Sequence, residues 1–227
     1  MCGRYAGPPQ EPILQAFDIQ VVTSARPASG NVSPTQVVDI VRDSRQPGSR
    51  GPSAADDSPV VRELMTARWG LVPSWASAID PRRLLINARS ETVTEKPSFR
   101  AAAVARRAIV PATGYYEWAL EGGRKVPYFL HQKDEDVLGF AGLYEWWRVP
   151  DGLEVPGADA GWLCSMAIIT RAATDALGHI HDRMPLVVPR DMADDWLSPA
   201  VTKRTDVDAL ISAMPDPVLM PVQRAPV

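Results

Sequence analysis

Cysteine follows the initiator methionine in the opening Met1-Cys2-Gly3-Arg4. Methionine is trimmed when the next side chain is small, and trimming here would leave an α-amine and a thiol on one residue. The α-amine of a chain titrates at about 7.7–8.0, so a useful fraction is neutral and nucleophilic at neutral pH. The thiol, at about 8.5, is the stronger nucleophile once ionised. An aldehyde meeting this pair forms an imine with the amine, and the thiol then closes a five-membered thiazolidine ring. That closure is intramolecular and has a high effective concentration. A lysine imine has no such second step and hydrolyses easily. Read alone, the first four residues favour Cys2 as an ordinary small residue at a frayed end.

Three other segments hold candidate chemistry. Strand-like Leu84-Leu85-Ile86 runs into Asn87-Ala88-Arg89-Ser90-Glu91-Thr92. Asn87 offers a donor and an acceptor and could position an amine; alternatively, Asn87 or Ser90 caps a helix. In Pro111–Trp118, strand alternation puts Glu117 on the face opposite Tyr116 and Trp118. A carboxylate between aromatics is desolvated and its raised pKa suits proton shuttling. The same pattern also fits a solvent-facing glutamate on an amphipathic strand. His179-Ile180-His181-Asp182-Arg183-Met184-Pro185 contains two of the 3 histidines. A zinc site would need a third ligand, and His131 is the one histidine left, so acid–base or oxyanion-side donation by His181 fits better than metal binding. A histidine bonded to backbone is the structural alternative. Arg183 beside it suggests a phosphate or carboxylate contact.

These residues need elements to position them. With 227 residues and 45% hydrophobic content, the chain can bury a real core. No apolar run approaches the ~20 residues of a membrane span, and no basic-then-apolar leader opens the sequence, so a cytoplasmic location is expected. Two cysteines are too few for a disulfide framework, and Cys164 within Trp162–Ile169 reads as core filler. A net charge of −3 and a pI of about 5.6 argue against a whole-surface nucleic-acid binder and leave room for a local basic groove. Arginine outnumbers lysine, which occurs only at Lys96, Lys125, Lys133 and Lys203; a G+C-rich genome produces the same bias.

Strands dominate the pattern, at Val37–Val41, Val60–Leu71, Ala108–Pro111, Val137–Trp147, Trp162–Thr170 and Pro185–Val188. Gly114–Leu120 and Lys125–His131 form a hairpin around Gly122-Gly123. Short helices are expected at Gln10–Phe17, Lys96–Arg107, Ala172–Leu177, Arg190–Leu197 and Asp206–Met214, the last with Asp206 as its cap. Residues 43–59 read as a flexible surface insertion and 215–227 as an extended C-terminal tail. Trp146, Trp147, Trp162 and Trp196 are candidates for the core.

The segments Met1-Cys2-Gly3-Arg4, Arg68-Trp69-Gly70-Leu71-Val72-Pro73-Ser74-Trp75, Asn87–Thr92, Glu117-Trp118 and His181-Asp182-Arg183-Met184-Pro185 together resemble the SOS-response-associated peptidase (SRAP) family. The resemblance covers nearly the whole chain. It implies an α+β, β-rich fold: a single domain over 2–227 built on a twisted, mainly antiparallel, barrel-like sheet with short peripheral helices. It also implies a sensor of abasic sites in single-stranded DNA. The mature N-terminal cysteine would crosslink the ring-opened sugar aldehyde as a thiazolidine and shield the lesion. In that scheme Cys2 is the nucleophile and Asn87 orients its amine or the linkage. Glu117 shuttles protons, and His181 assists sugar ring opening or binds its oxygen. Arg4, Arg89 and Arg183 would hold phosphates, and Trp75 and Trp118 would stack on or wedge against bases. Gly30-Asn31-Val32-Ser33-Pro34-Thr35 departs from the family's Tyr-Asn-x-Ala-Pro-Thr at Gly30 and Ser33. It keeps Asn31 and Pro34, which are grouped with the DNA-binding residues. The implied partner is single-stranded DNA containing abasic sites, bound by a monomer without metal, cofactor or membrane.

Other activities compete with lyase-like covalent capture. Cys2, Glu117 and His181 could support a cysteine-type peptidase, self-removal of Met1 included. A non-covalent single-strand binder would form no covalent product. Ring closure needs the free Cys2 amine, so reactive protein from a bacterial host should have the mass of the chain without Met1. Intact mass spectrometry checks this; Met1 retained in the reactive fraction would rule the thiazolidine chemistry out.

Overall fold

Period-two alternation with both faces buried produces long strands here. The computed structural model describes residues 2–49, 58–133, 137–173, 179–223 and 225–226. Its strands in chain order are β1 (Arg4–Gly7), β2 (Val21–Val22), β3 (Ser29–Val32), β4 (Val37–Ser44), β5 (Val61–Trp69), β6 (Asn87–Arg89) and β7 (Arg107–Ala112). They continue as β8 (Gly114–Glu121), β9 (Arg124–His131), β10 (Leu138–Arg148), β11 (Ala158–Asp159), β12 (Trp162–Ala172), β13 (Arg183–Pro185) and β14 (Met220–Gln223).

Strands β12-β10-β7-β4-β5 are successive neighbours, and β5 returns to β12 through a parallel pairing at Ser165↔Arg68 and Met166↔Trp69. The ring closes as a five-strand mixed barrel whose other pairings are antiparallel. A second sheet has the order β14-β9-β8-β1-β3. The chain crosses between the two at Thr113, whose N–H donates to the Ala6 carbonyl at 2.8 Å. One core cluster joins Met65, Trp69, Phe140, Met166 and Ile168 of the barrel to Cys2, Tyr5, Tyr115 and Leu130 of the second sheet. Another lies on the opposite faces of the barrel strands, where Ala167, Ile169 and Leu143 meet the helices through Phe17, Ala102, Trp196 and Val207.

The helices are short and peripheral, at Gln10–Ala16, Arg100–Ala105, Ala193–Leu197 and Arg204–Ala213. Two of them are fastened by Arg107. Its buried guanidinium donates to the carbonyls of Ala103 (2.9 Å), Trp196 (2.7 Å) and Ser198 (2.7 Å). A cation at two helix C-termini suits the exposed carbonyls and the dipole there. Burial nevertheless pulls the Arg107 pKa down to about 10. Among the described residues no helix is long and apolar enough to cross a membrane.

Several boundaries differ from the sequence reading. The helix expected over 96–107 shrinks to Arg100–Ala105, because Pro97 disfavours helical backbone at Lys96 and supplies no N–H of its own. The last helix starts at Arg204 with Lys203 at its N-cap and no capping side chain; Asp206 sits in the first turn, where its charge still complements the dipole. Strand β4 continues through Asp43 and Ser44, which pair with Arg62 and Val61, while 50–57 of the expected insertion lie outside the described residues. Ala172 ends strand β12, and 174–177 of the helix expected there also lie outside them. Trp146, Trp147 and Trp196 are buried, and Trp162 is half-buried. In the C-terminal segment, Met220–Gln223 pairs antiparallel with β9 as an edge strand.

Strand β8 turns away from the barrel at Gly114, where the chain passes very close to β9. A Cβ there would lie 2.5 Å from the Leu130 carbonyl oxygen and 2.5 Å from the Phe129 ring. Backbone cannot move aside as a side-chain tip can. Gly114→Ala should destabilise the protein by about 2–3 kcal/mol, at the upper end of overpacking costs, as read by urea unfolding. A loss under about 0.5 kcal/mol would show that the hairpin yields.

Candidate functional site

Cys2 lies just before β1 and is fully buried. Its carbonyl accepts a hydrogen bond from Asn87 Nδ2 at 2.9 Å. Asn87 opens β6, which runs parallel to β12 with Asn87 opposite Ile168. The residue therefore caps no helix; it is a strand residue aimed at the start of the chain. Its Oδ1 is buried and has no hydrogen-bond partner among the described residues.

Glu117 comes from the adjacent strand β8. Alternation holds: Tyr115 and Ala119 share its face within the inner cluster, while Tyr116 and Trp118 belong to the opposite one. At 4% exposure Glu117 is a buried carboxyl, so the solvent-facing alternative fails. Burial raises its pKa, and the His181 imidazole opposes that rise. Burial also pushes the Cys2 thiol far above its ordinary range, and the Glu117 charge adds to the effect. A hydrogen bond from the Arg4 backbone N–H works the other way. The resting thiol is consequently protonated.

His181 precedes β13 and is 28% exposed. It lines a small cavity with Tyr115, Glu117, Leu130, Ile180 and Arg183. Its Nδ1 accepts the Arg183 backbone N–H at 3.0 Å, which in the neutral ring puts the proton on Nε2. The same Nδ1 lies 2.8 Å from Asp182 Oδ1, a contact that becomes an ion pair when the ring is protonated. Arg183 makes a carboxylate contact: its guanidinium donates to both oxygens of Glu91, at 2.5 and 3.0 Å, and to the Thr170 carbonyl at 2.5 Å.

The structure splits the expected DNA-binding residues between two surfaces. Arg4, in register with Tyr116, lies on the outer face of the second sheet and donates to Asn31 Oδ1 at 2.7 Å. Trp118 is half-buried on that face against Ala6, Tyr116 and Phe129. Trp75 and Arg89 belong to a different region, a groove of about 720 Å³ whose lining includes Asn87, Arg83, Lys96, Leu84 and Phe99. Trp75 is 68% exposed, and its turn is latched by a bond from Trp147 Nε1 to the Ala76 carbonyl at 2.6 Å. Arg83, Arg89 and Lys96 form no ion pair among the described residues. Pro34 is half-buried in a turn where Thr35 adopts φ 75 and donates its N–H to the Trp69 carbonyl at 2.8 Å. A β-branched residue seldom takes that conformation. Trp69 Nε1 in turn donates to the Ile86 carbonyl, next to Asn87, at 2.9 Å. Arg83, Lys96 and Glu91 escaped the sequence reading; the position of Lys96 and Glu91 within and just after the Asn87 segment was the available signal.

The fold and site together define a class: a barrel protein with a buried cysteine at the head of the chain, set between a desolvated carboxyl and a groove lined by cations and tryptophan. Comparison with known proteins narrows it. The SOS response associated peptidase (SRAP) family model matches residues 1–225, and the chain belongs to that family. Abasic site processing protein YoqW of Bacillus subtilis (strain 168) is 35% identical over 219 residues, covering 94% of this chain and 86% of the relative. Abasic site processing protein HMCES of Gallus gallus is 35% identical over 159 residues, 60% of this chain and 45% of that protein. A Bordetella bronchiseptica protein of known structure matches 99% of this chain and 100% of its own, with TM-score 0.74 and 25% identity.

Because burial raises the Glu117 pKa above its unfolded value, the folded state binds that proton more tightly and is favoured in acid. The advantage falls away as pH rises from the ordinary value of 4.5 through the raised native one. Glu117→Gln removes the titration. The variant should therefore gain on wild type over that climb, by an amount within the ~0.5–3 kcal/mol typical of single substitutions. Urea unfolding at a series of pH values reads the difference; a constant offset would contradict the buried assignment.

Proposed function

We propose that this protein processes abasic sites in single-stranded DNA by capturing the sugar aldehyde on mature Cys2. The observation that carries the reading is the Asn87–Cys2 bond beside buried Glu117. Asn87 fixes the Cys2 backbone through its Nδ2 and presents Oδ1 as an acceptor for the α-amine. The abasic-site-processing names of relatives such as YoqW support the substrate class.

His181 Nε2–H donates to the sugar ring oxygen while the anomeric hydroxyl proton leaves to solvent, which reprotonates the imidazole, and the closed form opens to the aldehyde. The neutral Cys2 amine adds to the aldehyde carbon, one amine proton passes to the oxygen, and water leaves with a second proton from Glu117, giving an iminium. The thiol then adds to the iminium carbon and its proton restores Glu117. One water is lost and a thiazolidine links protein to DNA. Arg89 and Arg4 neutralise phosphates, and Trp75 and Trp118 stack on bases that only an unpaired strand exposes. The protonated, buried thiol speaks against a peptidase that needs a resting thiolate. In capture, the positively charged iminium arises beside the sulfur and favours its ionisation.

The test is the intact mass of mature protein mixed with a single-stranded abasic oligonucleotide, where an adduct lighter than the sum by one water is expected. Cys2→Ala should give no adduct yet bind the strand, and Arg89→Ala should lower the salt slope of binding by about one. Cys2→Ser should replace the stable product with a borohydride-trappable imine. Glu117→Gln should slow both formation and reversal by roughly 10²–10⁴-fold. Absence of any wild-type adduct, or crosslinking by Cys2→Ala at the wild-type rate, overturns the reading.

A further inference from the structure

We infer that Glu91 is a positioning residue for capture: its ion pair with Arg183 holds the His181 ring in the orientation and tautomer that sugar ring opening requires. The inference rests on the capture reading and names a device within that site.

Glu91 grips both terminal nitrogens of Arg183, at 2.5 and 3.0 Å. Two parallel charge-assisted bonds fix the plane of a guanidinium as well as its place. The same guanidinium donates to the carbonyl of buried Thr170 at 2.5 Å, leaving the Arg183 side chain 13% exposed. Thr170 is where three strands converge. It pairs with Arg89 of β6 on one side and Pro185 of β13 on the other. The Ser90 N–H also donates to the Thr170 carbonyl, at 2.8 Å. Glu91 thus ties the segment that carries Asn87 and the turn that carries His181 to one point on β12.

The consequence reaches His181 through the backbone. Arg183 opens β13 and its N–H points at His181 Nδ1 across 3.0 Å. Held at its side chain, Arg183 keeps that N–H fixed. Nδ1 then stays an acceptor and the ring proton sits on Nε2, the nitrogen that the capture scheme assigns to the sugar oxygen. The Asp182 carboxylate already lies 2.8 Å from the same Nδ1, and loosening the Arg183 N–H lets it become the dominant partner. That partner demands a proton on Nδ1 and reverses the ring's polarity. The rival account is that Glu91 merely occupies the fork a DNA phosphate would take.

Glu91→Gln in the mature full-length protein separates the accounts. The crosslinking rate at saturating single-stranded abasic DNA should fall roughly tenfold to a hundredfold, the scale of a misplaced catalytic group. Capture of a small open-chain aldehyde, which needs no ring opening, should change less than twofold. Imidazole ¹⁵N shifts should show the Nε2–H tautomer at His181 in wild type and a mixture in Glu91→Gln. Glu91→Asp should restore part of both signals. These NMR shifts also serve as the fold check, since a collapsed variant loses the dispersed spectrum and Glu91→Asp then carries the comparison. The inference is overturned by tighter binding of intact single-stranded DNA with a salt slope steeper by about one and an unchanged saturated rate. It is equally overturned by equal losses on closed sugar and open aldehyde. If wild type forms no adduct, the capture reading falls and takes this with it. If wild type reacts and Glu91→Gln reacts identically, only the positioning role falls.

Discussion

Strand β12 is hydrogen-bonded along both edges, and the rest of the molecule is arranged around that constraint. One edge pairs with β10 over seven residues and then with β13; the other takes β5 in parallel, then β6. A strand so placed must bury both faces, and its sequence meets the demand. Cys164, Met166 and Ile168 point to one cluster and Ala167 and Ile169 to the other. Where the β5 pairing ends, β6 begins, and the first residue it lays against β12 is Asn87. On the opposite edge, beyond β10, β13 pairs with the end of the strand, bringing in Arg183 and with it His181. The site is built at the exit of the barrel seam, from segments that share no local sequence relation.

Burial sets the chemistry of that site as much as residue identity does. A buried carboxyl and a buried thiol both resist ionisation, and the Glu117 charge makes that of Cys2 less favourable still. Other buried charges in the molecule are treated differently. Arg42 and Glu63 pair at 2.9 Å inside the core, with the Tyr144 and Trp146 rings 5.4 and 5.8 Å from the guanidinium. Removing one partner of such a pair typically costs about 3–5 kcal/mol, which marks it as framework. Each of the three guanidinium nitrogens of Arg107 donates to a backbone carbonyl. Charge in those places is neutralised by geometry, whereas at Cys2 and Glu117 it is suppressed by desolvation.

Local pattern made much of this legible. Alternation located the long strands and put Glu117 on the correct face, since side-chain direction in a strand follows from parity alone. The Gly122-Gly123 hairpin was readable because both glycines must adopt positive φ, and they do, at 55 and 79. What parity cannot supply is the partner. The parallel β5–β12 seam joins residues far apart in the chain, and nothing in either segment announces it. Asn87 looked able to cap a helix because polar residues follow an apolar run; it is a strand residue because β12 offers a free edge there. Arg183 was recognised as an anion contact, yet the anion it meets is Glu91, which lies in a motif already in view. Two oppositely charged residues in separate motifs are a pairing hypothesis that sequence alone could have raised. The alanine-rich run ending at Arg107 misled in the other direction, because helix propensity yielded to the antiparallel ladder with β10.

The placement of the cationic residues has a geometric consequence for any bound strand. Arg4, Asn31 and Trp118 occupy the outer face of the second sheet, while Cys2 and Glu117 face inward from the same two strands. Arg89 and Trp75 lie along the groove that reaches the site from the side of Asn87. On the proposed capture reading, a DNA strand touching both sets would bend around the edge of the sheet beside Cys2, with the reacting sugar at the bend. A sugar lacking its base is the link of a DNA chain that bends there most readily, because it has no base stacking to lose. Selection for the lesion would then reside partly in the path imposed on the backbone, before any covalent step.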